Sequence, residues 1–249
     1  TEKTKAIVPV DLYGQPCDWA ELQEIAKKHD LKIIEDACQA IGAEYKGIKA
    51  GALGDFGCFS LYATKNIMCG EGGVVTTNSD EAAAAIRSFR QHGMVAPYEY
   101  ADLGYNYRMS DLHGAIAVEQ LRKVDRFTAQ RQRNASLLNE ALAGVKGIEL
   151  PRVADNRSHV YHQYTILLDE GISRDEFVTK LREKGVGAGV YYPKPLHAYP
   201  HIAKLGYEAG DFPVAEDLAA RVVSLPVHPK VTDEDIEIIA AAVKESVNG

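Results

Sequence analysis

The chain has little that crosslinks, anchors or attracts polyanions. Its 249 residues include four cysteines and one tryptophan. Cys17, Cys38, Cys58 and Cys69 stand 21, 20 and 11 residues apart. There is no C-x-x-C pair and no secretory leader to read, a pattern that fits reduced thiols in a cytoplasmic protein. No apolar run approaches the roughly 20 residues that cross a bilayer, so no membrane span is expected. Excess positive charge is also missing. Lys and Arg total 28 against 35 Asp and Glu, a net charge of −7, which leaves no broad positive field for nucleic acid or an anionic membrane surface. The basic residues Arg122, Lys123, Arg126, Arg131 and Arg133 fall in a helical pattern and read as a solvated helix face. Metal-ligand spacing is absent as well. His159 and His162 lie in a strand-like run, where alternation sends them to opposite faces. Pro195 and Pro200 disfavour a helix that would align His197 with His201, so no metal is expected.

What is present is the composition of a packed domain: 46% apolar and 25% charged residues, in a chain long enough for one large domain or two modest ones. The first half alternates strand and helix patterns. Strands are expected at 6–13, 31–36, 56–62 and 73–77, and helices after Asp18, with Glu21 as its N3 partner, and over 80–92. This alternation predicts an α/β layer sheet. A long helix is expected from Ser110 towards Leu142, ending near Gly144 and Gly147. Beyond it come a strand at 160–168, a helix opened by Ser173 and Glu176 and closed at Gly185, a strand at 186–192, a loop rich in Pro and His, a helix near 214–222 and a last helix opened by Thr232. The texture divides the chain into a larger α/β domain, 1–131, and a smaller α+β domain, 132–249, without internal repeats or a flexible linker.

Three segments depart from ordinary core and surface. Asp36 ends the apolar strand LKIIED, with Cys38 and Gln39 after it. Ligands of open α/β sheets sit at such strand ends, and a helix cap has the same signature. The second segment, GDFGCFSLYATKN, delivers Lys65 after a strand ending near Ser60 and before the turn Gly70-Glu71-Gly72-Gly73. A lysine that attacks a carbonyl must lose a proton that ordinarily leaves near pH ~10.4, and an apolar setting made by Phe59, Leu61 and Met68 favours that loss. A solvated loop lysine is the plainer alternative. The third, GYNYRMS, sets Asn106 and Arg108 ahead of a helix N-terminus, where an anion or a simple cap is equally suited.

Taken in order, DACQAIGA, GDFGCFSLYATKN with GEGG, and GYNYRMSDLHGAI resemble the DegT/DnrJ/EryC1/StrS family of nucleotide-sugar aminotransferases. The likeness continues through VYYPKPLH and GDFPVAEDLAARVVSLPVHP, nearly the whole chain. It implies the aspartate-aminotransferase architecture (fold type I) and pyridoxal 5'-phosphate as cofactor. On that resemblance Lys65 forms the imine bond with the cofactor, Asp36 pairs with the pyridine nitrogen, Gln39 contacts the ring or its phenolic oxygen, and Ser60 holds the phosphate. Asn106 reaches the phosphate of the neighbouring subunit in a homodimer with shared active sites. Tyr192 and His197 approach the sugar. A dehydratase branch carries histidine where this chain has Lys65, which argues for transamination. The implied cycle is ping-pong, with L-glutamate as amino donor and a nucleotide-linked keto-sugar as acceptor.

Family members also carry a further N-terminal portion, with a small-residue turn that grips the phosphate and an aromatic residue that stacks on the ring. The sequence begins at Thr1, so the large domain is expected to be incomplete at its N-terminus. A non-catalytic module of the same fold that holds no cofactor is the alternative reading.

Overall fold

A computed structural model describes residues 1–248. Two compact units emerge: residues 1–129 together with 153–162, and residues 130–152 together with those from 163 onward. In chain order the first unit holds β1 (Ala6–Ile7), α1 (Trp19–His29), β2 (Lys32–Asp36), β3 (Glu44–Tyr45), β4 (Ile48–Lys49), β5 (Phe56–Ser60), β6 (Gly73–Thr76), α2 (Asp80–Phe89), β7 (Met94–Ala96), β8 (Glu99–Tyr100) and α3 (Asp111–Leu121). Helix α4 (Val124–Leu142) begins in this unit and continues in the second. The second then adds β9 (Ile148–Glu149), β10 (Tyr164–Leu168), α5 (Arg174–Glu183), α6 (Pro200–Ala203), α7 (Pro213–Arg221), β11 (Val222–Leu225) and α8 (Asp233–Asn248).

The main sheet of the first unit runs β1-β2-β5-β6. Strands β1, β2 and β5 are parallel and β6 is antiparallel to β5. Register pairs Asp36 with Cys58, and the pleat therefore puts Asp36, Cys58 and Ser60 on one face and Glu35, Gly57 and Phe59 on the other. Alanine is what lets the chain turn tightly after β2. Ala37, Ala40 and Ala43 are wholly buried beside Ala50 and Val160, and the N–H of Ala37 is held by the carbonyl of Cys58 at 2.9 Å. A second cluster packs Trp19 and Ala26 of α1 against Ile33, Tyr45 and Leu53. In the second unit β10 is central between β11 and β9. Its Tyr164, Ile166 and Leu168 are buried at every other position, while α5 packs on α8.

Several elements differ from the sequence-based expectation. The first strand stops at Ile7, because Pro9 has no N–H to continue the ladder. The chain then turns through Tyr13 and Gly14, both at positive φ. Asp18 makes no side-chain cap on α1; its carboxylate takes Arg157 Nη2 at 2.8 Å instead. The long helix is two helices, separated at Arg122 and Lys123, where Lys123 N–H reaches back only three residues, to the Gln120 carbonyl, at 3.0 Å. Arg131 is buried, 8% exposed, and so leaves the solvated face assigned to it. The run 160–168 is strand only from Tyr164, since Tyr161 has φ 46 and Val160 to His162 belong to the first unit. His159 and His162 therefore do not sit on a strand; the His159 ring stacks on Tyr161 at 4.1 Å. At 186–192 there is one bridge, Gly189 to Ser224, and the partner of β10 is instead the fully buried Val222–Leu225.

Candidate active site

The carboxyl ends of β2 and β5 place Asp36 and Ser60 on one side of a parallel strand pair, the edge at which open α/β sheets bind ligands. Asp36 is fixed by its backbone on both sides: its N–H donates to the Pro9 carbonyl at 2.9 Å, and its carbonyl accepts from the Asp11 N–H at 3.1 Å. Its Oδ1 accepts the N–H of Cys38 at 3.1 Å, a local Asx turn that sets the side-chain direction. Gln39 lies next in the turn, its Oε1 held by the N–H of Tyr13 at 2.8 Å. Ser60 Oγ accepts the Tyr62 N–H at 3.3 Å.

Lys65 sits in the tight turn that follows β5, its N–H bonded to the Tyr62 carbonyl at 3.0 Å. The side chain is half-buried, and among the described residues its ammonium makes neither an ion pair nor a hydrogen bond. The thiol of Cys38 reports where it stands. Burial first, then the hydrogen bond and charge of Asp36, push that thiol up to about 12, while the Lys65 charge pulls the other way. Asp36 and Lys65 thus act on one sulfur atom. Asn66, the next residue, fixes the turn: its Nδ2 donates to the Val160 carbonyl at 3.1 Å and its Oδ1 faces His162 Nδ1 at 3.2 Å. Nothing in the local sequence signals this tie, since the partners lie more than ninety positions away. The glycine-rich turn closes against the same region. A Cβ on Gly72 would meet Cys69 Sγ at 2.8 Å and Met109 Cε at 2.9 Å, so only glycine fits.

The other candidates are placed elsewhere. Asn106 Oδ1 accepts from Arg108 Nε at 2.9 Å rather than meeting Asp36, Ser60 or Lys65. It is held beside the end of α2, where Phe89, Tyr105 and Tyr107 form an aromatic cluster with centroids 5.3 to 6.1 Å apart. Tyr192 and His197 belong to the second unit. Tyr192 is exposed, whereas His197 is buried, with its Nε2 2.9 Å from Glu216 Oε1. Glu216 also accepts the Gly210 N–H at 2.8 Å. These bonds hold its carboxyl below the usual carboxylate range, the Gly210 N–H foremost and His197 next. A cavity of about 480 Å³ opens beside this pair, lined by second-unit residues such as Arg174, Tyr207 and Glu208, and contains none of the β2 and β5 groups. Among the described residues no cluster of three His, Cys, Asp or Glu side chains is set to hold a metal, and no helix is long and apolar enough to cross a membrane.

The model of the DegT/DnrJ/EryC1/StrS aminotransferase family matches residues 1–244. The chain belongs to this family. GDP-perosamine synthase of Caulobacter vibrioides is 39% identical over 250 residues, covering 98% of this chain and 67% of the relative. The crystal structure of DesV from S. venezuelae, in complex with a ketimine intermediate, superposes with a TM-score of 0.95 at 35% identity, covering 100% of this chain and 67% of that one. The sugar aminotransferase Spr1654 of Streptococcus pneumoniae, solved in its PLP form, gives 0.92 at 27% identity, covering 100% and 69%. The chain therefore spans about two thirds of the length of these aminotransferases, and it shares their fold and their pyridoxal phosphate dependence.

The residues present fit that cofactor. Asp36 offers a carboxylate to a ring nitrogen, Lys65 offers an amine from the turn after β5, and Ser60 lies at the same sheet edge.

Proposed function

We propose that this chain carries the cofactor lysine and the ring-pairing acid of an aminotransferase that moves an amino group from L-glutamate to the keto group of a nucleotide-linked sugar, in amino-sugar biosynthesis. The observation that carries the reading is that Asp36 and Ser60 share one face at the carboxyl ends of β2 and β5, with Lys65 in the turn that follows β5. When bound, pyridoxal phosphate supplies a carbonyl for the amine and a ring that takes up the electrons of a broken Cα–H bond. Asp36 Oδ2 keeps a pyridine nitrogen protonated by its charge. Lys65 Nζ holds the cofactor and, once its amine is free, takes the proton from Cα of the donor. Gln39 orients the ring and Ser60 Oγ binds the phosphate. Asn106 of the partner subunit completes the phosphate site in a cytoplasmic homodimer; within this chain its Oδ1 is taken by Arg108 Nε. Tyr192 approaches the sugar, and His197 acts from its bond with Glu216.

The test begins with colour. Added pyridoxal phosphate is expected to give a visible imine band that borohydride abolishes, leaving the cofactor covalently attached to the Lys65 peptide by mass spectrometry. Lys65→Ala removes the band and the transfer of amine from glutamate to a panel of nucleotide-linked keto-sugars. Transfer that survives in Lys65→Ala refutes the mechanism, and a colourless wild type favours the non-catalytic module.

A further inference from the structure

Glu35 and Asp11 are both fully buried, and the proposed reaction uses neither. Glu35 lies on the face of β2 opposite Asp36, beneath the loop 50–54. Its Oε1 accepts the N–H of Gly51 at 2.6 Å and its Oε2 that of Leu53 at 3.1 Å. Asp11 Oδ1 accepts the N–H of Cys17 at 2.9 Å and the indole N–H of Trp19 at 3.3 Å. Asp11 Oδ2 is buried without a hydrogen-bond partner among the described residues. Val10 bridges Asp36 in parallel, so alternation puts Asp11 on the same face as Glu35, whose carboxyl it helps to raise. Two ionised carboxylates in this position would repel each other without water to screen them, and the orphaned oxygen would carry its full desolvation cost. One proton between them removes both penalties.

We propose that Asp11 and Glu35 hold a single proton in common, and that this acid pair is a positioning device fastening the end of β2 behind Asp36. The proton bridges Asp11 Oδ2, the one oxygen of the four that accepts no N–H, to the Glu35 carboxyl. The consequence for Asp36 runs through the backbone. Glu35 immediately precedes it, and the Asp11 N–H donates to its carbonyl at 3.1 Å. The pair thus holds the strand from the far side, while Asp36 presents its own side chain to the opposite face. This part of the proposal rests on the reading of Asp36 as the cofactor acid.

Among the described residues no cation forms an ion pair with either carboxylate. Cys17 faces the pair from the segment before α1, Gly57 is its neighbour on β5, and Cys58 lies on the other face of the sheet. Burial pushes both thiols up, so they stay neutral. Tyr45, packed on Trp19, brings only a hydroxyl, and the loop 50–54 contributes backbone N–H groups. On the strand itself Asp36 is a further negative charge and Lys32, at the other end, is paired with Asp55 at 3.1 Å, while Asp18 and Arg157 reach Cys17 rather than Glu35. Burial lifts the Glu35 carboxyl from 4.5 to about 7; the N–H groups of Gly51 and Leu53 oppose this and Asp11 adds to it. A raised acid stabilises the fold most below its unfolded value, and the contribution is lost as pH climbs through the folded one. The window here runs from 4.5 to about 7.

Infrared difference spectroscopy of the full chain tests the shared proton directly. A protonated-carboxyl C=O band is expected at about pH 6 and gone by about pH 8, absent at both in Asp11→Asn and in Glu35→Gln. Asp11→Asn keeps Oδ1 as acceptor and turns a permanent N–H towards Glu35, so it preserves the bridge without the titration. Amide exchange at Asp11 and Asp36, corrected for intrinsic chemistry, should lose on the order of tenfold to a hundredfold protection across the same range in the wild type and stay level in Asp11→Asn. A wild type without the band at about pH 6 overturns the proposal, as does protection that falls equally in wild type and variant. The wild-type titration needs no variant to fold. Neither measurement uses the cofactor, so its failure leaves the amine-transfer reading intact, and loss of cofactor colour leaves this one intact.

Discussion

An amine that must react needs neighbours that place it without binding it, and the turn around Lys65 meets that requirement through Asn66. The Asn66 amide spends its hydrogen bonds on Val160 and His162, both in the returning segment, and not on Lys65. Asn66→Ala is expected to strip a buried carbonyl of its donor, at a cost of about 1–3 kcal/mol, and to slow the borohydride-sensitive attachment of cofactor to Lys65. An unchanged unfolding midpoint and attachment rate in Asn66→Ala would show that the tie is idle. A second prediction concerns acid. Burial lowers His159 from 6.5 to about 4, so the ring is neutral in the fold. A depressed base contributes stability that is present above the unfolded value and lost as pH falls through the folded one, here between 6.5 and about 4. Thermal midpoints in that range should slope less steeply in His159→Gln, and equal slopes would assign the acid sensitivity elsewhere. Asp36, Ser60 and Lys65 were legible because each ends or follows a recognisable strand. Asn66 and His162 were not, because their meeting depends on a chain return that neither local sequence encodes.

At the level of elements, β5 shows why the sheet edge is built from such small residues. A Cβ on Gly57 would stand 2.3 Å from the Gly51 carbonyl oxygen and 2.4 Å from its Cα. The loop that gives Glu35 its N–H donors therefore lies directly against the strand. Gly57→Ala is expected to destabilise by about 1–3 kcal/mol through overpacking, and denaturant midpoints measure it. A neutral result would mean that loop 50–54 shifts freely. Strands β2, β5 and β6 were readable from their apolar runs and bounding glycines. Two features resisted. The break at Arg122 and Lys123 has no proline or glycine to mark it. In the stretch VVSL, four consecutive buried residues match a buried strand as well as the end of a helix, and the register with β10 decides between them.

For the molecule as a whole, the texture changes near the long helix, where the chain passes from the first unit to the second, but the return of 153–162 to the first unit was not legible, because its strand-like end reads as one run with β10. Its attachments are specific. Arg157 donates to the Pro16 carbonyl and to Asp18, both at 2.8 Å, with its guanidinium 5.2 Å from the Tyr45 ring centre. Ser158 Oγ accepts the Glu44 N–H at 2.8 Å. A fragment of residues 1–129 is accordingly expected to lack a dispersed amide NMR spectrum, and joining residues 153–162 to it through a flexible linker should restore one. Dispersion in the short fragment alone would contradict this account of the core.

Val160 is wholly enclosed among the alanines of the turn after β2, and this has a consequence for biosynthesis. A nascent chain leaves the ribosome from its N-terminal end, so the pocket around that turn stays open until residue 160 has emerged, after much of the second unit's first helix is already outside. A turn made early is therefore among the last parts to be finished.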